Sequence, residues 1–174
     1  MTEFTSENSV DNIQITENVL SKEEHEKLLE YATNVTGWHK QPWGVEYFNA
    51  EKGMSSDIVN LLDKVFRIAF KKCEDNYNAK LRVFKKQEVH LVRFQKDFYM
   101  NKHVDTAGDF AVIYYINDDY EGGEFNMPAM GFKFKPKAHS LLMFTDSVHE
   151  DMMHEVLPVV SGSRFVSQGF FAIK

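Results

Sequence analysis

His103 and Asp105 stand two residues apart in Lys102-His103-Val104-Asp105, and His154 stands ten residues before Arg164 in a segment that runs on from Met153. Two imidazoles and one carboxylate on one side of an ion leave coordination positions open on the other, a donor set suited to non-haem Fe(II) and dioxygen. In an extended strand residues i and i+2 share a face, so His103 and Asp105 can reach one ion from a strand end. A 2-oxo acid fits such a site, because its C1 carboxylate and keto oxygen fill two positions and leave one for dioxygen. Its far carboxylate then needs a cation. Arginine suits that task through a planar fork that makes two parallel charge-assisted hydrogen bonds.

An H-x-D pair alone is more often a polar pair in a mobile loop, so the third donor decides. His149-Glu150 and His154-Glu155 both offer histidine, but only His154 is followed by Val156-Leu157-Pro158-Val159 and Gly162-Ser163-Arg164. His154 is the choice, with His149 left to the connecting loop, to support of a ligand or to the substrate side. His25, His39, His90 and His139 read as ordinary core or surface residues.

These four side chains need a scaffold. Residues 1–12 are polar, lack periodicity and read as a flexible tail. A first strand is expected around Ile13-Gln14-Ile15. Ser21-Lys22-Glu23-Glu24 has the form of a capping box, and Leu28, Leu29, Ala32 and Val35 follow at helical spacing, predicting an amphipathic helix that ends near Gly37. Trp38 to Gly53, rich in aromatics and turn residues, reads as a loop that either binds or covers the core. A second helix is capped at Ser55, Ser56 or Asp57 and buries Ile58, Leu61, Leu62, Val65, Phe66, Ala69 and Phe70.

Beyond Asn78 the period turns strand-like. Leu81–Phe84, Val89–Phe94, the β-branched and aromatic run Phe110–Asn117, Glu124–Met127, Phe132–Lys137, Ser140–Phe144, Glu155–Val159 and Arg164–Ile173 make about eight short strands. Helices first and strands after describe an α+β chain whose sheets close into a sandwich or barrel. The 174 residues suit one domain: a flank over 13–80 and a strand-rich core over 81–174.

Composition narrows the partners. A formal charge of −6 lacks the positive field that a phosphate backbone rewards, which disfavours nucleic acid. The single cysteine, Cys73, cannot form an intramolecular disulfide. No stretch approaches the roughly 20 apolar residues that span a bilayer, so the expectation is a cytoplasmic protein with no membrane, monomeric or a weak homodimer.

From about Val89 onward the residues resemble the 2-oxoglutarate and Fe(II)-dependent dioxygenases, in their prolyl 4-hydroxylase-like branch. The resemblance rests on Tyr99–Asp105, on Tyr114-Tyr115-Ile116-Asn117 with Tyr120-Glu121-Gly122-Gly123-Glu124-Phe125, and on His154-Glu155-Val156 with Pro158-Val159 and Gly162-Ser163-Arg164-Phe165. It implies a double-stranded β-helix, or jelly roll, with flanking N-terminal helices. It also implies His103, Asp105 and His154 as iron ligands, Arg164 as the 2-oxoglutarate anchor and Tyr115 as a hydroxyl on the same carboxylate, with ascorbate as a reductant. The reaction implied is hydroxylation of a C–H bond, of a prolyl residue in a peptide or protein, with release of succinate and CO2. Alternatives are the same chemistry on a free amino acid, another side chain or a methylated nucleobase, or a non-catalytic jelly-roll binding module. Trp43, Arg93, Tyr99 and Glu124 are the candidates for a substrate rim. Two positions depart from the family pattern: Phe94 lacks a hydroxyl that relatives often carry there, and His139 replaces a turn glycine, a change that histidine tolerates at positive φ better than a β-branched residue does.

Overall fold

The computed structural model describes residues 12–41, 44–82, 89–145 and 149–174. Helix α1 spans Lys22–Asn34 and starts as its sequence dictates: the Ser21 side chain accepts from the Glu24 N–H, and the Glu24 carboxylate accepts from the Ser21 N–H. It ends one turn before Gly37, where Val35 turns extended. Helix α2 spans Ser56–Tyr77 and buries Ile58, Val59, Leu62, Val65, Phe66, Ala69 and Cys73 along one face. Asn78 closes it in the left-handed region at φ 48°, its N–H returning to the Glu74 carbonyl. Neither helix is long and apolar enough to cross a membrane.

The described residues form thirteen strands, with one apolar layer under the helices and another between the sheets. The strands are β1 Ile13–Glu17, β2 His39–Lys40, β3 Glu46–Asn49, β4 His90–Phe94, β5 Met100–His103, β6 Phe110–Tyr115, β7 Glu121–Gly122, β8 Phe125–Met127, β9 Phe132–Phe134, β10 Ser140–Thr145, β11 His154–Val156, β12 Val159–Ser161 and β13 Arg164–Phe171. All pairings are antiparallel. The major sheet runs β1-β10-β6-β13-β4-β3-β2, the minor sheet β5-β11-β8-β9, and β12 pairs with β7. Two facing antiparallel sheets with helices on one outer side form the sandwich that the strand pattern predicts, the jelly roll that the resemblance implies.

The major sheet is covered on both faces, which explains why β6 and β10 are buried along their whole length. Alternate residues serve different layers. Val112 and Tyr114 of β6, with Leu141 and Met143 of β10, pack under the helices against Leu28, Leu62 and Phe66. Ala111, Ile113 and Tyr115, with Leu142 and Phe144, face inward to Phe125, Met127 and Val156 of the minor sheet. At Gly169 the sheet admits the helix layer closely: a β carbon there would lie 2.6 Å from the Phe66 ring.

Three expectations change in detail. Residues 38–53 are not only loop, because β2 and β3 pair as a hairpin and extend the major sheet from β4. The expected strand Glu155–Val159 is two strands, β11 in the minor sheet and β12 on β7. Between them Pro158 lacks the N–H that a continuous ladder requires, although its carbonyl still accepts from Gly123. Of Leu81–Phe84, Leu81 makes one bridge to Ile173, while Val83 and Phe84 lie outside the described residues, as do residues 1–11 of the tail.

Candidate metal centre

His103 ends β5 and His154 begins β11, and the two are direct partners in the minor sheet. Asp105 follows two residues past His103 and reaches between them. Its carboxylate oxygens lie 3.6 Å from His103 Nε2 and 3.6 Å from His154 Nε2. One donor atom from each of the three lies within 4.8 Å of the others. The other ring nitrogens fix the orientation: His103 Nδ1 is 2.8 Å from the Asn101 carbonyl and His154 Nδ1 is 3.0 Å from the Met152 carbonyl. A carbonyl only accepts, so each Nδ1 carries the proton and each Nε2 presents a lone pair toward Asp105.

Local packing makes this arrangement stiff. The His154 ring stacks near-parallel on Phe125 at 5.2 Å and edge-on to Phe144 at 5.1 Å, inside the apolar layer between the sheets. Burial pushes the His154 pKa down, opposed by the Asp105 charge, whereas the neighbouring Asp105 carboxylate holds that of half-buried His103 up. Asp105 and His154 are both buried. Two imidazole nitrogens around a buried carboxylate form a set of donors that a divalent cation would satisfy in place of a proton.

A cavity of about 110 Å³ opens beside these ligands and runs to Arg164, lined between by Phe94, Met100, Phe125 and Val156. Arg164 is 1% exposed and begins β13 opposite Phe94 of β4. Its guanidinium sits 4.6 Å from the Phe94 ring and 5.1 Å from the Tyr115 ring, with Nη2 3.4 Å from the Tyr115 hydroxyl. Among the described residues no carboxylate pairs with it, and Nε is buried with no partner. Burial raises the Tyr115 pKa to about 12, so the phenol stays protonated and able to donate. An unpaired buried cation beside a neutral donor, at the end of a cavity, is built for an anion. The donor set therefore fits iron, and the arginine end fits the far carboxylate of 2-oxoglutarate.

The other predicted residues lie elsewhere. His149 is exposed and caps the short turn 150–152, its Nδ1 accepting from the Asp151 N–H, away from the ligand cluster. Arg93 points to the helix side of β4, because neighbouring Phe94 points inward. There it donates to Glu46 at 2.7 Å and stacks on Trp38 at 4.6 Å. Tyr99 is half exposed just before β5, Glu124 is half-buried between β7 and β8, and Trp43 lies outside the described residues. His139 takes φ 67° as its turn requires, and its ring is engaged: Nε2 accepts from the Leu20 N–H at 3.0 Å, and the ring stacks on His25 at 4.4 Å.

Residues 89–172 match the family described as the 2OG-Fe(II) oxygenase superfamily, a stretch that contains the two histidines, Asp105 and Arg164. A curated relative from Acanthamoeba polyphaga mimivirus, provisionally named a prolyl 4-hydroxylase, is 24% identical over 49% of this chain and only 44% of its own length. Solved structures share the fold. A viral collagen prolyl hydroxylase from Paramecium Bursaria Chlorella virus-1, in its 2OG complex, aligns with TM-score 0.68 and 19% identity over 94% of this chain and 97% of its own. A Pseudomonas putida prolyl-4-hydroxylase gives TM-score 0.70 at 15% identity, over 94% and 93%. A Trichoplax adhaerens prolyl hydroxylase in complex with a hypoxia inducible factor peptide fragment also gives 0.70 at 15%, over 94% and 84%.

Proposed function

We propose that this protein is an Fe(II)- and 2-oxoglutarate-dependent dioxygenase that hydroxylates a prolyl residue in a peptide or protein. One observation carries the reading: a three-donor metal cluster and an unpaired buried arginine stand at two ends of one small cavity. His103, Asp105 and His154 would hold the iron, and Arg164 with Tyr115 the far carboxylate of 2-oxoglutarate. When bound, iron and cosubstrate supply the oxidation: 2-oxoglutarate, dioxygen and a C–H bond give succinate, CO2 and a C–OH bond.

The chain's own residues place and shield. The Asn101 and Met152 carbonyls keep both imidazoles in the ligating tautomer. Asp105 supplies the negative charge that favours a cation over a proton. Phe94, Phe125 and Val156 keep water from the cavity walls, and Gln168 and Phe170 of β13 line it with Met100. The named prolyl hydroxylases among the relatives support a peptidyl proline as substrate, with half-exposed Tyr99 close by in sequence.

The test is cosubstrate turnover. Purified protein with Fe(II), ascorbate and 2-oxoglutarate should release succinate and add one oxygen to proline-containing peptides, detected by mass spectrometry, and Asp105→Ala should abolish both. A wild-type protein that binds neither iron nor 2-oxoglutarate defeats the proposal.

A further inference from the structure

Arg164 Nε is not the only orphan in its surroundings. The Tyr120 hydroxyl is also buried without a hydrogen-bond partner, and Tyr120 is only 4% exposed. The two side chains meet over Gly123. A β carbon placed there would lie 3.1 Å from Tyr120 Cε2, which neighbours the hydroxyl-bearing carbon, and 3.2 Å from Arg164 Cδ, which carries Nε. Tyr120 and Arg164 face each other without closing a well-formed hydrogen bond: burial raises the phenol pKa, and the guanidinium opposes that rise by its charge and as a nearby donor. Lys135 holds the tyrosine in place, its Nζ 4.3 Å from the ring centroid and donating to the Tyr120 carbonyl.

On a guanidinium, Nε–H and one N–H of Nη2 form a single edge with two parallel donors. In Arg164 the Tyr115 hydroxyl accepts from Nη2 at 3.4 Å, and Nε has no hydrogen-bond partner among the described residues. Phe94, which lacks a hydroxyl, covers the guanidinium face. We propose that Tyr120 is a further ligand of the cosubstrate's far carboxylate: the Nε–Nη2 edge takes both oxygens, Tyr115 donates to the one at Nη2, and Tyr120 donates to the one at Nε. Two groups that are left unsatisfied in the free protein become satisfied together when the anion enters. Gly123 is the condition for this cradle, since any side chain there would separate its two halves.

This inference rests on the proposed cosubstrate, and the experiment separates the two. Calorimetry is run on protein loaded with Mn(II), which replaces Fe(II) to prevent turnover. The probes are 2-oxoglutarate and 2-oxopentanoate, a 2-oxo acid of equal chain length with a methyl group in place of the far carboxylate; where the heats of the latter are small, it is titrated by competition. Tyr120→Phe should weaken 2-oxoglutarate about tenfold or more, the usual worth of a hydrogen bond to a charged group, and leave 2-oxopentanoate within about twofold of wild type. Equal weakening of both acids would show that Tyr120 only shapes the pocket, and unchanged 2-oxoglutarate affinity would show no role; either overturns the inference. Wild-type protein that fails to bind 2-oxoglutarate defeats the proposed function instead.

Discussion

Two pairs of imidazoles in this molecule have ring centroids 4.4 Å apart, and they do opposite things. His103 and His154 share a buried carboxylate and open on a cavity. His25 and His139 stack almost parallel on the helix side of the major sheet, where His25 Nδ1 lies 2.8 Å from the Tyr114 hydroxyl and His139 Nε2 accepts from the Leu20 N–H. The first pair turns two lone pairs toward a negative charge and empty space. The second uses its nitrogens on groups of the fold itself. Proximity of histidines is therefore no mark of a metal site; the carboxylate, the tautomers imposed by carbonyls and the adjoining space are.

The contrast breaks most sharply in metal binding. His154→Ala should lower Mn(II) affinity by roughly a thousandfold or more, beyond the 10–100-fold typical of groups that only support a ligand, while His139→Ala leaves it unchanged; equilibrium dialysis with metal analysis checks both.

Acid should act on the other pair. Burial, helped by neighbouring His139, pushes the His25 pKa down to about 4 from an ordinary 6.5. The unfolded chain then binds the proton more readily, so this contribution to stability is complete above pH 6.5 and is lost as pH falls through 4. At about 1.4 kcal/mol per pKa unit the loss from His25 is at most about 3 kcal/mol. Urea unfolding of metal-free protein across that range should show it, and His25→Gln should flatten that limb.

The smallest effect belongs to His139→Asn, which keeps a residue tolerant of positive φ but removes the acceptor for Leu20. The expected cost is about 1 kcal/mol, read from the urea midpoint. A change as large as that of an emptied core site would mean that the stacked pair does more than join the N-terminal segment to the barrel.

Much of this was legible in the residues. The i, i+2 spacing of His103 and Asp105, and the run from His154 to Arg164, identify side chains that the fold brings to one cavity. Helix α1 follows its capping box, and β6 its apolar run. Period two also holds the answer for Arg93: with Phe94 inward, Arg93 must face the helices, where Glu46 awaits it. Tyr120 is different. In Asp118-Asp119-Tyr120-Glu121-Gly122-Gly123 it looks like a turn residue, and only the pairing of β7 with β12 and the bare Cα of Gly123 carry its ring to Arg164. The β2–β3 hairpin and the His25–His139 stack escape notice for the same reason, since short strands and long-range contacts leave no local period to read.

Strand β13 has no spare face. Arg164, Gln168 and Phe170 line the cavity, while Gly169 lies hard under Phe66 of α2. A side chain added at Gly169 would collide with α2, and one altered at Arg164 would remove the buried cation at the end of the cavity. The adaptable parts of such a molecule are its exposed connections, such as Thr106-Ala107 beyond Asp105. Descendants of this sequence can rewrite those connections, while β13 has to be inherited nearly whole.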